Sequence, residues 1–385
     1  MLFFQVLAAL AWLGIALARR RILRMLPQLN VKDESQALPS TVSVIIPARN
    51  EEKNIGRCIE SIIHQLDEKG EIIVVDDSST DSTREVVRRY SKHGVKLIEA
   101  GELPEGWLGK PWACYLGYTH SSGEWLLFTD ADAEFGKGCI RNALITALEH
   151  GAELATQYPR MRMRSIWLKA ALPILLLALY AFGRPHKVSS GEAAFAFGSF
   201  ILIRRDVYEK LGGHERVRDA VLEDRAIALL ARDARVRTLF LDGTNSMTAE
   251  WNNSLKSLWN GMVRLFTTLY IGSSKKSIIN AFMLIILFIF PLASLAYSLA
   301  YNIPTYILLA SLSTVLISYV IGEELRKHRI SFIYSVLWPL GVLLILCAVI
   351  VSGFKATLRP LFRWRNRLYR VEAYDGRERA VILSA

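Results

Sequence analysis

Cysteine is scarce in this 385-residue chain, with four (Cys58, Cys114, Cys139 and Cys347) and no CxxC spacing among them. Neither a disulfide framework nor a cysteine-based zinc module follows, and a reducing compartment fits. Charged residues are also few, 22% against 52% hydrophobic, and the mean hydropathy of +0.25 is high for a soluble protein. Acidic side chains number 36 against 47 basic ones, a formal net charge of +11. The basic residues flank apolar runs and form no recognisable nucleic-acid module, so no nucleic-acid partner is expected. A lipid bilayer with anionic headgroups fits that pattern better. No repeat of solenoid period is present.

The apolar residues fall in separate runs. Residues 1–18 carry no charged side chain and lead into Arg19, Arg20, Arg21 and Arg24. About 18 helical residues rise roughly 27 Å, enough to cross a thin hydrocarbon core. The charge follows the run, the reverse of a cleaved signal peptide, so a retained anchor is expected. Residues 19–40 then read as a linker. Over 41–250 short apolar strands alternate with helical segments, which predicts an α/β domain with a mostly parallel sheet. Its strands are expected at 42–46, 72–75, 95–98, 125–129, 154–157 and 197–203. Helices are expected at 51–64, 82–91 and 140–150.

Inside that domain, 165–182 is strongly apolar but holds Lys169 and Pro173. A span there would divide the sheet, so an interfacial helix is expected, with Leu175, Leu176 and Leu177 against acyl chains. Residues 251–275 place Trp251, Leu255, Leu258, Trp259 and Met262 at helical spacing, a second amphipathic helix that is either interfacial or core-packing. The C-terminal membrane helices occupy 278–353 in three runs, 278–301, 304–321 and 332–353, each about long enough to span. Between the last two, 323–329 holds three Lys/Arg, and 355–370 holds six. Positive-inside places both in the cytoplasm, yet three spans after a cytoplasmic domain put the second outside. One rule must yield, and a re-entrant or interfacial segment would resolve the conflict. Residues 354–385 read as a basic tail. The expectation is an integral protein of the cell membrane with its α/β domain in the cytoplasm.

Chemistry gathers where strands end. The first strand runs through Pro47 into Arg49, Asn50, Glu51 and Glu52. In open α/β sheets ligands sit beyond the carboxyl ends of strands, so these residues are placed to meet a nucleotide. The alternative is a helix cap by Asn50 with Glu51 and Glu52 against the helix dipole. The second strand ends in Asp76-Asp77-Ser78-Ser79-Thr80-Asp81. Adjacent carboxylates need donors or a metal to stay ionised, and a uracil imide or ribose hydroxyls are donors of the right kind. Capping of the next helix is the plainer reading, for Asp81 above all. The fourth strand ends in Asp130-Ala131-Asp132, whose alternation sets both carboxylates on one side. Two hard oxygen ligands there suit a divalent metal, Mg or Mn, with a diphosphate completing the octahedron.

Three acidic strand ends in this order resemble the inverting family 2 glycosyltransferases of the GT-A fold, over roughly 41–241. The segment Leu103-Pro-Glu-Gly-Trp107-Leu-Gly109-Lys110-Pro111-Trp112-Ala113 resembles a loop of the carotenoid- and hopanoid-associated branch. So do 198–205, Leu211-Gly-Gly-His214 and Arg218-Asp219-Ala-Val-Leu-Glu223-Asp224. One anchor, a cytoplasmic domain and C-terminal helices are also the layout of ceramide glucosyltransferases.

The resemblance implies inverting transfer from a nucleotide-sugar donor, UDP-linked by expectation, to a membrane lipid acceptor. It places Asp76 and Asp77 at the nucleoside, Asp130 and Asp132 at metal and diphosphate, and Asp224 as the base, with Asp219 as runner-up. An inverting displacement needs such a carboxylate near the acceptor hydroxyl; the alternative for Glu223 and Asp224 is a negative first helical turn. Pro47, Arg49 and Glu51 belong to the donor side. Lys110 either neutralises diphosphate or is a solvated loop lysine. The segment 258–266 lacks the Arg-Trp pair of the Q/R-x-x-R-W signature, which weakens a processive polysaccharide synthase as the alternative. A catalytically inactive scaffold, the other alternative, predicts missing strand-end carboxylates, and all are present.

Overall fold

The computed structural model describes residues 2–29, 38–66, 70–251, 254–364, 367–374 and 377–384. Residues 30–37 of the expected linker lie outside them, and its first residues, 19–25, continue the helix Leu2–Met25. Valine, isoleucine and leucine dominate the ends of β1 (Val42–Ala48), β2 (Gly70–Asp76) and β4 (Trp125–Phe128) because both faces of the sheet are covered. Val44 and Ile46 enter one core with Ile59, Leu127 and Leu144, whereas Ile45 and Leu126 enter the opposite one with Val207 and Ile227. Each such buried side chain contributes about 1.5–3 kcal/mol.

The remaining strands are β3 (Val95–Glu99), β5 (Glu134–Phe135), β6 (Leu154–Arg162), β7 (Ile201–Arg204) and β8 (Thr238–Glu250). The sheet order is β3-β2-β1-β4-β7-β6-β8-β5. The first four strands are parallel, β7 runs against both its neighbours, and β6 pairs parallel with β8. The carboxyl ends of β1, β2 and β4 thus open on one edge, where ligands settle.

Several expectations shift. The helix expected over 51–64 begins at Ile55, with Asn54 rather than Asn50 at the N-cap position and no side-chain cap bond. The strand expected from 197 begins at Ile201, with Phe197 and Phe200 forming only an isolated bridge. The supposed tail is folded: the last helix ends at Leu358, and β9 (Leu361–Trp364), β10 (Arg367–Tyr374) and β11 (Arg377–Ser384) form an antiparallel sheet.

Among the described residues, five helices are long and apolar enough to cross a membrane: Leu2–Met25, Ile166–Lys187, Lys275–Ala300, Pro304–Lys327 and Phe332–Leu358. Three of them point away from the sheet. Leu2–Met25 and Pro304–Lys327 meet the domain at their C-terminal ends, where Asp242 N–H donates to the Pro27 carbonyl (3.0 Å) and Lys327 Nζ to the Asp242 carboxylate (2.7 Å). Lys275–Ala300 departs beside the helix Leu255–Tyr270, with Asn280 bonded to the Tyr270 hydroxyl at 2.9 Å. Its π turn at Ile285–Ile289 frees backbone acceptors, and the Trp12 indole N–H donates to the Leu287 carbonyl at 2.7 Å.

Phe332–Leu358 behaves differently. Phe332 lies against Gly322, Trp338 reaches Ser318 and Phe288, and Gly353 returns to Ser277 near the domain. Both ends of the segment therefore lie toward the domain, Phe332 beside Gly322 and Gly353 beside Ser277. Ile166–Ala178 packs across it so closely that a Cβ at Gly341 would lie 2.0 Å from the Ala170 carbonyl oxygen. Leu175 to Leu177 are consequently not an outward stripe: Leu176 is 5% exposed, and Leu175 and Leu177 are half-buried against the same core.

Candidate active site

The loop after β1 is sewn to the loop after β2. Asn50, at a positive φ of 54°, accepts from Thr80 N–H (2.8 Å) and donates its own N–H to Ser79 Oγ (2.9 Å). Glu51 N–H donates to Thr83 Oγ1 (2.8 Å), and its carboxylate accepts from Asn54 (2.8 Å). Asp81 accepts from Thr83 N–H at 3.1 Å, the local turn role. Glu51 thus shapes the loop from a buried position, and Pro47 continues β1 opposite Val75.

Below these loops lies a cavity of about 1120 Å³ lined by Arg49, Asp76, Glu99–Trp107 and the last strand. Asp76 is 1% exposed; its Oδ2 accepts from Ser79 N–H (3.1 Å), while Oδ1 is buried without a partner. Asp77 is engaged: Arg367 donates to both its oxygens (2.6 and 2.9 Å), and Arg49 reaches its carbonyl at 3.2 Å.

A second cluster forms where β4, the loop before β7 and the helix Glu223–Asp233 converge. Lys110 Nζ pairs with Asp130 (2.7 Å) and Glu223 (2.5 Å). Burial alone would lower this ammonium, but Asp130, Glu223 and Asp224 raise it well above its ordinary value. Lys110 is therefore no solvated loop lysine. Asp224 accepts from Gly198 N–H (3.1 Å) and Arg225 N–H (2.7 Å). Burial first, then the Glu223 charge, pushes its carboxyl up to about 7, against the pull of Lys110. His214, buried behind this cluster and bonded to Tyr208 (3.0 Å), is pushed by burial down to about 3 and stays neutral. Asp219 faces elsewhere: its carboxylate pairs with Arg379 (3.2 Å) and its carbonyl accepts from Ala380 N–H (2.8 Å).

Among the described residues no group of three or more His, Cys, Asp or Glu is placed to hold a metal ion. What the chain offers is Asp130 and Asp132, hard oxygen donors that suit Mg²⁺ or Mn²⁺. Their field is felt at Cys58, whose thiol is pushed well up by burial and then by Asp132, Asp130, Glu134 and Glu51. Asp130 already holds a cation, the Lys110 ammonium. The pair fits a divalent ion that receives further ligands from a bound molecule.

Residues 43–212 match the model of glycosyl transferase family 2. The 4,4'-diaponeurosporenoate glycosyltransferase of Staphylococcus aureus (strain bovine RF122 / ET3-1) is 26% identical over 344 residues, 86% of this chain and 88% of the relative. That of strain MRSA252 is 26% identical over 343 residues, with the same coverage. Among solved structures, the mannosyltransferase PcManGT from Pyrobaculum calidifontis, in complex with GDP-Man and Mn²⁺, superposes with a TM-score of 0.53. It is 18% identical over 93% of this chain and 99% of that chain, a likeness that shows the GT-A fold.

The structure joins Lys110, Asp130 and Asp224 in one cluster and places Arg49, Asp76 and Asp77 in another. It sets Asp219 apart. Sequence reasoning missed Glu223 as the partner of Lys110, though it stands beside Asp224 in the quoted motif. It also missed Arg367, which lies 290 positions from Asp77 in a segment read as a basic tail; no local pattern links the two.

Proposed function

We propose that the protein transfers a sugar, with inversion, from a nucleoside diphosphate sugar to a hydroxyl or carboxylate on a long apolar, carotenoid-type membrane lipid. UDP is the first donor nucleotide to test. The observation that carries this reading is the Lys110–Asp130–Glu223–Asp224 cluster beside the cavity that ends at Asp76. A carboxylate whose pKa is about 7 is half-ionised at neutral pH and suits proton removal from an acceptor hydroxyl. The named acceptor of the relatives is an apolar carboxylate, which supports the lipid class.

Each residue has a role in the attack. Asp224, oriented by Gly198 and Arg225, takes the acceptor proton. Lys110 holds positive charge next to Asp130, where the leaving diphosphate gains negative charge, and Glu223 fixes its ammonium. Asp130 and Asp132 would hold a divalent ion, which when bound supplies electrostatic stabilisation of the departing diphosphate. Arg49 and Asp76 belong to the nucleotide end.

The helices support a membrane acceptor. Arg19–Arg24 and Arg326–Arg329 lie at the helix ends nearest the domain, which by the positive-inside rule supports a domain on the cytoplasmic face of the cell membrane. The three outward helices contact one another directly through Trp12, Phe288 and Glu324, an arrangement that gives a polymer-exporting alternative no support. The test is mass spectrometry of lipid extracts from a host with and without the chain. A lipid bearing one added hexose is expected; identical lipid profiles, or only soluble polysaccharide, would overturn the reading.

A further inference from the structure

We propose that the sheet formed by β9, β10 and β11 is the outer wall of the nucleotide pocket, with Asp77 holding that wall and Asp76 meeting the nucleoside. The proposal rests on the donor reading above, adds the wall, and separates the role of Asp77 from that of Asp76.

Asp77 has little left to offer a base. Both oxygens are taken by the planar Arg367 guanidinium, and the side chains are only 9% and 6% exposed. Such a bidentate pair fixes geometry as well as charge. Its space is provided by Gly109: a Cβ there would lie 2.2 Å from both Arg367 Nη1 and Asp77 Oδ2. Asp76 is the opposite case. It lines the cavity, it is almost wholly buried, and Oδ1 has no partner. An orphaned buried acceptor is costly, and the imide N–H of a nucleobase or a ribose hydroxyl would satisfy it.

The sheet is built in, not draped over. Phe362, Tyr369, Val371 and Ala380 share an apolar cluster with Leu108 and Val221. Leu108 leads directly to Lys110, and Val221 to Glu223 and Asp224. Arg379 and Ala380 clasp Asp219 on the loop between. A plug would fill the cavity. Here Arg367 and Arg379–Ile382 line it and leave about 1120 Å³ open, ample for a nucleotide.

The test is UDP binding, with Mn²⁺, by calorimetry on the full-length protein in a lipid nanodisc, with the thermal midpoint followed in parallel. Arg367→Ala should weaken UDP about tenfold or more. The exchanged pair Asp77→Arg with Arg367→Asp should recover most of that loss, because the pair only holds the wall. Asp76→Asn should weaken UDP with no partner able to restore it. Arg379→Ala, at a more exposed lining position, should weaken UDP at an unchanged midpoint, which keeps the test open should Arg367→Ala misfold. Equal or tighter UDP binding by Arg367→Ala or by Arg379→Ala would overturn the wall, tighter binding marking a plug. An exchanged pair with parental midpoint and no recovery would return base recognition to Asp77. A parent protein that binds neither UDP nor GDP would overturn the donor reading, and the wall with it.

Discussion

A carboxyl group buried beside Glu223 gains proton affinity, and Asp224 reaches about 7 while bonded to two backbone N–H groups. The raised value means the base is lost by protonation as pH falls. With a hydroxyl acceptor, turnover should fall as pH drops below about 7 and level off above it. Asp224→Asn should cost about 10²-fold or more and abolish that pH step, with donor affinity kept. A carboxylate acceptor has no proton to lose, so the same variant should cost it far less. Equal losses on both acceptors would contradict a base role, and normal turnover with the loss in Asp219→Asn would transfer it. Asp132→Ala should remove metal-dependent nucleotide-sugar binding while the protein still folds; unchanged Mn²⁺-dependent affinity by calorimetry would take Asp132 out of the metal site. Asp132 stood out because acidic groups at successive strand ends are a pattern of order and spacing, whereas Asp224, in the first turn of a helix, entered through the family resemblance and the need for a base. Glu223 and Arg367 did not stand out, since their partners Lys110 and Asp77 meet them only through the fold.

Elements were readable where burial imposes a run. β1, β2 and β4 are covered on both faces and stand out as apolar strings. β8 carries Gly243, Thr244, Asn245 and Ser246 in its middle, with a register shift of its pairing at Pro159/Arg160, and shows no alternation to find. The helix Ile166–Ala178 was visible as apolar, but its place inside the helical layer depends on Gly341, where two helix backbones touch. Gly341→Ala should force them apart and cost about 1–3 kcal/mol, as overpacking does. A lowered thermal midpoint in detergent is the expected result. An unchanged midpoint would show that the contact with Ala170 is looser than described.

Across the molecule, one polar knot ties the helical layer to the catalytic sheet. Glu324, fully buried, accepts from Arg19 (2.8 Å), from the Tyr158 hydroxyl of β6 (2.7 Å) and from Tyr180 (3.2 Å). His328 Nδ1 accepts from Met161 N–H (3.0 Å), which leaves its Nε2 to face Glu324 at 3.3 Å. Glu324→Gln would strand the Arg19 guanidinium without a counter-charge, at a cost of about 3–5 kcal/mol. The thermal midpoint should fall with it, and a neutral outcome would mean that Arg19 has another way out. That both ends of Phe332–Leu358 turn toward the domain could not be read from hydropathy, because length and apolarity are the same for a span. Only the contacts of its two ends show it. The central claim, sugar transfer to a lipid, is tested most directly with purified protein in nanodiscs carrying an apolar hydroxy- or carboxy-lipid, supplied with UDP-sugar and Mn²⁺. Mass spectrometry of the lipid and aqueous phases should show one sugar on the lipid and none on soluble acceptors, with the product gone in Asp224→Asn on a hydroxy-lipid. Sugar found only as polymer or on water-soluble acceptors would contradict the account.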